Sequence, residues 1–284
     1  MNTETVSVEE ARRPRTSTGF VLTSAFASGV GVVIAVVIYH LGLAVAGAIA
    51  GRAPVLYHNE VLFRAGGSDL ALAGGAAASL IAGAIFLTLY PASRRYDAAR
   101  LTVLWTVLHC FRQGFTPLAV LPFTDDSPLS RAWSTLGLPA GVEWVVSAAG
   151  TVGLLSVALA SAPAFLAYAS RQSLISTPSG RARFTAEIAL VPGVVGPLLA
   201  VPVFLPDGGT GLVPSLPLFG AFTIATVLAA LGTRTVRIGD HREALGWSWL
   251  PLAWLVFFAL VSQFLFRRGV LIPPSLRAPF VDSM

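Results

Sequence analysis

The sequence predicts an all-α protein, a polytopic transmembrane helix bundle of about seven spans within a range of six to eight. Three observations carry this prediction. The 284 residues are 55% hydrophobic and 12% charged, with mean hydropathy +0.74, whereas a soluble chain carries about 25% charged residues. Several apolar runs reach the roughly 20 residues that a helix needs to cross a bilayer. The arginines fall mostly in short segments between those runs.

All nineteen basic residues are Arg, and there is no Lys. A seven-helix retinal protein, whose Schiff base requires Lys, is thereby excluded. The pI near 10.1 raises nucleic acid as a partner, but arginines scattered through short loops match membrane topology instead. The expected partners are therefore the lipid bilayer and other membrane protein subunits, with no nucleic acid. The single Cys110 cannot form an internal disulfide.

Taken in order, residues 1–18 read as a polar cytoplasmic tail with Arg12, Arg13 and Arg15, and no cleavable signal peptide is expected. The transmembrane domain follows over 19–266. Its first span lies within Phe20–Ala50, longer than a bilayer core needs, which predicts tilt or an interfacial turn near Ser24–Gly29. The stretch Val30–Gly51, VGVVIAVVIYHLGLAVAGAIAG, holds one ionisable group, His40, followed by small residues such as Gly42, Ala46 and Gly47. Small residues at this spacing let a second helix approach closely, so this helix is placed inside the bundle. Residues 51–69 suggest a small hairpin or re-entrant loop, with alternation that breaks at Glu60.

The second span, about Leu70–Tyr90, opens with a small-residue face suited to packing on the first. The third, about Leu101–Val120, carries His109, Cys110, Arg112 and Gln113 before Pro117. Residues 121–141 form a Pro-rich acidic loop, with Asp126 or Ser127 a helix N-cap ahead of Leu129–Leu136. The fourth span is about Val142–Tyr168. The fifth, about Ala186–Leu205, contains Pro192, Pro197 and Pro202, so it must kink and neighbours must satisfy its freed carbonyls. The sixth is about Val213–Gly232 and the seventh about Trp247–Phe266, leaving a C-terminal tail of 267–284.

Orientation follows from the arginines. With the N-terminus inside, inner segments hold twelve and outer segments six, with Arg112 in the third span. This favours a cell (plasma or inner) membrane protein with a cytoplasmic N-terminus and an outer C-terminus. Arg267 and Arg268 count the other way and leave room for a partial eighth element.

Three stretches together resemble the site-2-protease (M50-like) family of intramembrane metalloproteases. YHLGLAVAGAIAG, Tyr39–Gly51, is similar to the zinc-binding helix that reads HExxH followed by small residues. LALAGGAAASLIAG, Leu70–Gly83, is similar to the glycine-rich start of the next helix. FTPLAVLPFTDDSPLSRAWSTLGLP, Phe115–Pro139, is similar to the segment whose Asp supplies the third zinc ligand, a place Asp125 or Asp126 would hold. The resemblance covers about residues 30–140. In its frame Tyr39 and Leu43 take the two His positions and His40 takes the Glu, so the HExxH pattern is absent. What it implies is a pseudoenzyme of that build.

A catalytic zinc needs about three protein ligands and an open position. His40 and His109, with Asp126, are the candidate metal ligands, for zinc or haem. The alternative for each His is a hydrogen bond between helices. Arg112 either binds an anion in a cavity or snorkels to the interface. The leading expectation is a non-catalytic scaffold or subunit of a membrane complex, without catalytic residues or cofactor. The alternatives are a metal- or haem-dependent membrane enzyme, including an intramembrane metalloprotease, and a small-solute transporter built on the broken fifth helix.

Overall fold

Helix α1, Thr18–Ile49, is the axis of the molecule. Its start is set by Ser17, whose Oγ accepts the Phe20 N–H at 3.2 Å, the cap that Ser favours. In the computed structural model, which describes residues 16–64, 68–90, 97–125, 127–139, 141–205, 209–233 and 246–272, α1 runs unbroken for 32 residues. The interfacial turn expected near Ser24–Gly29 is therefore not formed. Ser24, Ser28 and Gly29 are buried against neighbouring helices instead.

The hairpin expected after the first span is present. Strands β1, Pro54–Leu56, and β2, Val61–Phe63, pair antiparallel with Val55 opposite Leu62. Glu60 interrupts the alternation because it belongs to the turn, where its carbonyl accepts the Tyr57 N–H at 2.9 Å. A short 3-10 turn, Asp69–Ala73, leads into α2, Gly74–Leu89. Then come α3, Ala98–Ala119, the short α4, Pro128–Thr135, and α5, Val142–Leu166. Ser127 caps α4 by accepting the Ser130 N–H at 3.1 Å.

Helix α6 spans Pro178–Phe204. It begins eight residues before the expected span because Thr177 caps it and Pro178 sits in its first turn, where a missing N–H costs nothing. Changes of helix type accompany Pro192 and Pro202, while Pro197 lies inside the regular α-helical stretch Val191–Ala200. Ala186–Leu190 is π-helical just ahead of Pro192, and Val201–Phe204 tightens to 3-10 around Pro202. Helix α7 is Gly209–Gly232, and α8, Trp249–Phe266, ends in a π turn from Ser262. Strand β3, Val270–Leu271, then pairs with the free edge of β1 to complete a sheet of order β2-β1-β3.

Among the described residues five helices are long and apolar enough to cross a membrane: Thr18–Ile49, Asp69–Leu89, Val142–Leu166, Pro178–Phe204 and Trp249–Phe266. The chain is thus a multi-pass membrane protein with a helical bundle. Helix α3 carries Arg100, His109 and Arg112, which lowers its apolarity, yet it packs against α1, α2 and α5.

Helix α1 contacts α2, α3, α6 and α8. The small-residue faces lie where these helices cross. A Cβ on Gly42 would come within 2.4 Å of Ala78 Cβ, and one on Gly74 within 2.4 Å of Ala46 Cβ, so α1 and α2 meet backbone to backbone. Gly31 makes the equivalent crossing with α3, where a Cβ would lie 2.8 Å from the Trp105 carbonyl carbon. Helices α1 and α8 run parallel. Thr23 Oγ1 donates to Gly246 O at 3.0 Å and accepts the Ser248 N–H at 2.9 Å at one end. Val55 and Leu271 pair in the sheet at the other.

The polar tail assigned to 1–18 lies almost wholly outside the described residues. Of the tail assigned to 267–284 only 267–272 is described, and it contributes β3 rather than an extension of the last helix.

Candidate functional site

Among the described residues, histidines lie in two regions of the molecule. The first lies where α1, α3 and α6 cross. Pro192 has no N–H, so the carbonyl of Ile188, four residues earlier, loses its helical partner. Ser24 Oγ donates to that carbonyl at 2.7 Å, and the same oxygen accepts the Trp105 indole N–H at 3.0 Å. One turn further along α1, Ser28 Oγ shares a hydrogen bond of 3.1 Å with His109 Nε2. The His109 ring stacks on Trp105 with centroids 5.4 Å apart and planes 17° apart, and meets Phe219 on another side at 5.4 Å. The sequence expectation that neighbours satisfy the carbonyls freed by proline is met here by Ser24.

Arg112 extends this region by one turn of α3. It neither snorkels nor lines a described cavity. It is buried, with its guanidinium carbon 3.7 Å from the Phe219 ring centroid and one terminal nitrogen donating to Gln113 Oε1 at 3.0 Å. An aromatic face holds a desolvated cation by its quadrupole, a contact worth about 2 kcal/mol. The charge is therefore retained inside the bundle by a ring on α7, an arrangement that a reading of α3 alone misses.

The second region lies beneath the sheet. His40 of α1 and His58 of the β1–β2 turn line one cavity of about 90 Å³ together with Val33, Val203, Phe258 and Phe266. His58 is buried, and neither of its ring nitrogens has a hydrogen-bond partner among the described residues. Ser262 also lines the cavity, but its hydroxyl donates to Val203 O.

The structure gives His40 and His109 different surroundings and does not bring them together. Asp126 lies outside the described residues, and its neighbour Asp125 is exposed. Among the described residues no group of three or more His, Cys, Asp or Glu side chains converges. Tyr39 and Leu43, which take the two His positions of the HExxH frame, both pack onto Gly75 of α2. A Cβ there would lie 2.8 Å from the Tyr39 ring and 3.0 Å from Leu43 Cγ.

His58 is the residue that sequence reasoning missed. Its only signal was a His in the stretch YHNE directly after the first span. Burial of that turn depends on β3 and α8, which are remote in sequence. Ser24, Ser28 and Trp105 were also passed over, since each is common in membrane helices.

No protein-family model, no characterised protein and no solved structure matches the chain.

Proposed function

We propose that this multi-pass protein is a non-catalytic scaffold or subunit of a membrane complex, with a degenerate site-2-protease-like build. It sits in the cell membrane with seven spans and a cytoplasmic N-terminus. The observation that carries the reading is the packing of Tyr39 and Leu43 onto Gly75. At the two places where the resemblance would put zinc ligands, an aromatic ring and an aliphatic side chain fill the helix crossing. Neither side chain is a His, so the paired imidazoles of an HExxH zinc site are missing there.

Further support comes from the polar groups of the bundle. Ser24, Ser28, Trp105 and His109 satisfy one another or a proline-freed carbonyl, which is what a structural role requires. The orientation rests on the arginine bias and is consistent with parallel α1 and α8, since an odd number of spans puts the two chain ends on opposite sides.

Two measurements test the reading. The purified protein is reconstituted with single-span reporter substrates, and no cleavage is expected. Cross-linking in native membranes should capture one membrane protein in fixed stoichiometry. Cleavage that disappears in His40→Ala would overturn the non-catalytic reading, and the absence of any stoichiometric partner would overturn the complex.

A further inference from the structure

The pocket beneath the sheet carries an inference beyond the scaffold reading. Its long walls are two membrane-spanning helices. Val33, Val37 and His40 follow one another at helical spacing along α1, over about 10 Å at 1.5 Å per residue. Phe258, Val261 and Phe266 do the same along α8. His58 enters from the β1–β2 turn. That turn is fixed by the bond from the Tyr57 N–H to the Glu60 carbonyl and by a strand paired on both edges. The space is therefore long, narrow and half open, with a volume of about 90 Å³.

Shape and lining select the occupant. A cavity of roughly 150 Å³ holds benzene, so a ring overfills this one, whereas an aliphatic chain fits a narrow space and can leave by its open side. The walls are almost wholly apolar, and among the described residues that line them none carries a carboxylate or a guanidinium. An uncompensated charge is costly in such a setting, so the occupant bears no net charge. The flanking side chains Phe257, Leu260 and Phe264 of α8 are exposed and apolar, as side chains that face acyl chains are. The source of a chain is therefore the bilayer itself.

One polar demand remains. His58 is 8% exposed, and neither of its ring nitrogens has a partner among the described residues. Ser262 does not supply one, since its hydroxyl is bonded to Val203 O. A neutral imidazole has one N–H that donates and one bare nitrogen that accepts. An O–H group answers either, because it both donates and accepts, whereas an ester or ether oxygen only accepts. His58 lies at the sheet end of the pocket, and Val33 and Phe258 lie deeper in the bundle. An O–H end at His58 thus leaves its chain running inward beside α1 and α8, the direction that acyl chains take from a membrane surface. We propose that this pocket binds one single-chain lipid by its O–H end, an uncharged fatty acid or a fatty alcohol, with His58 as the hydrogen-bonding residue. Binding is non-covalent, and no bond is made or broken in the protein. The pocket is separate from the Tyr39 and Leu43 positions, so it neither needs nor restores proteolysis.

The test uses the full chain in nanodiscs of diacyl phosphatidylcholine, with tritiated palmitic acid and tritiated hexadecanol as probes and empty nanodiscs subtracted. Saturable binding of one molecule per chain is expected, and the tighter probe tells the acid from the alcohol. Methyl palmitate and hexadecane, which keep the chain and lack the O–H, should compete at least about tenfold more weakly, the equivalent of one buried hydrogen bond. His58→Leu should weaken binding by a similar factor, and His58→Gln, which restores a donor and an acceptor, should bind more tightly than His58→Leu. Val37→Trp, which fills the pocket from α1, should abolish binding. Thermal unfolding of each ligand-free variant confirms that the fold persists, so weaker binding reports the pocket. Absence of saturable binding, competition by methyl palmitate or hexadecane as strong as by the probes themselves, or binding by His58→Leu as tight as by His58→Gln or the wild type would each overturn the assignment. Reporter cleavage and cross-linked stoichiometry are separate readouts, so the two proposals fail independently.

Discussion

His109 and His58 are both more than nine-tenths buried, at 3% and 8% exposure, but they are held in opposite ways. His109 is enclosed by Ser28, Trp105 and Phe219, with a hydrogen bond and ring contacts on several sides. His58 faces a cavity with both nitrogens unpartnered among the described residues. The first belongs to a closed polar chain that runs from α3 through α1 to the π turn of α6. The second belongs to a surface turn folded over the end of the bundle. The comparison teaches that burial alone does not identify a functional histidine in a membrane protein. What separates the two is whether the fold itself uses their hydrogen-bonding capacity.

The largest effect that would break this comparison lies at Trp105. It is fully buried, stacks on His109 and donates to Ser24. Trp105→Ala is expected to cost about 3–5 kcal/mol through the cavity it leaves. Thermal unfolding in detergent checks this, and an unchanged Tm would show that the crossing of α1 and α3 does not depend on the closed chain. A smaller loss is expected for Ser24→Ala, which leaves the Ile188 carbonyl and the Trp105 N–H without this partner. Hydrogen bonds between membrane helices are worth about 0.6–1.7 kcal/mol, and the same unfolding measurement should return a loss in that range. A neutral Ser24→Ala would mean that Pro192 is accommodated by the π turn alone.

Much of the bundle was legible in the sequence. Gly42 and Ala46 on the first helix and Gly74 on the second announced a close crossing, and that crossing forms. Alternating side chains after the first span suggested a hairpin or a re-entrant loop, and the break in that pattern at Glu60 falls in the turn of the hairpin that forms. The start of α6 was missed because Pro178–Arg183 is polar, although Thr177 followed by Pro178 is a helix-start signal. Strand β3 was not legible, since two residues after a helix carry no pattern and their pairing with Val55 and Leu56 is set by the whole fold. The same physics hid the candidate site. His40 stood out as the one ionisable group in its stretch. Its companion His58 is brought to it only when the sheet closes over the helices. For Arg112 the sequence offered an anion-binding cavity or snorkelling to the interface, whereas the Phe219 ring keeps it inside.

The most direct test of the central claim sets His109→Leu beside His58→Leu in ligand-free protein and compares their unfolding free energies. His109→Leu should lose about 1–3 kcal/mol, because Ser28 is left unpaired inside the bundle. His58→Leu should unfold at or above the wild-type temperature, because it removes a polar group that the described fold does not satisfy. Equal losses in the two variants would contradict the account, since both histidines would then be structural.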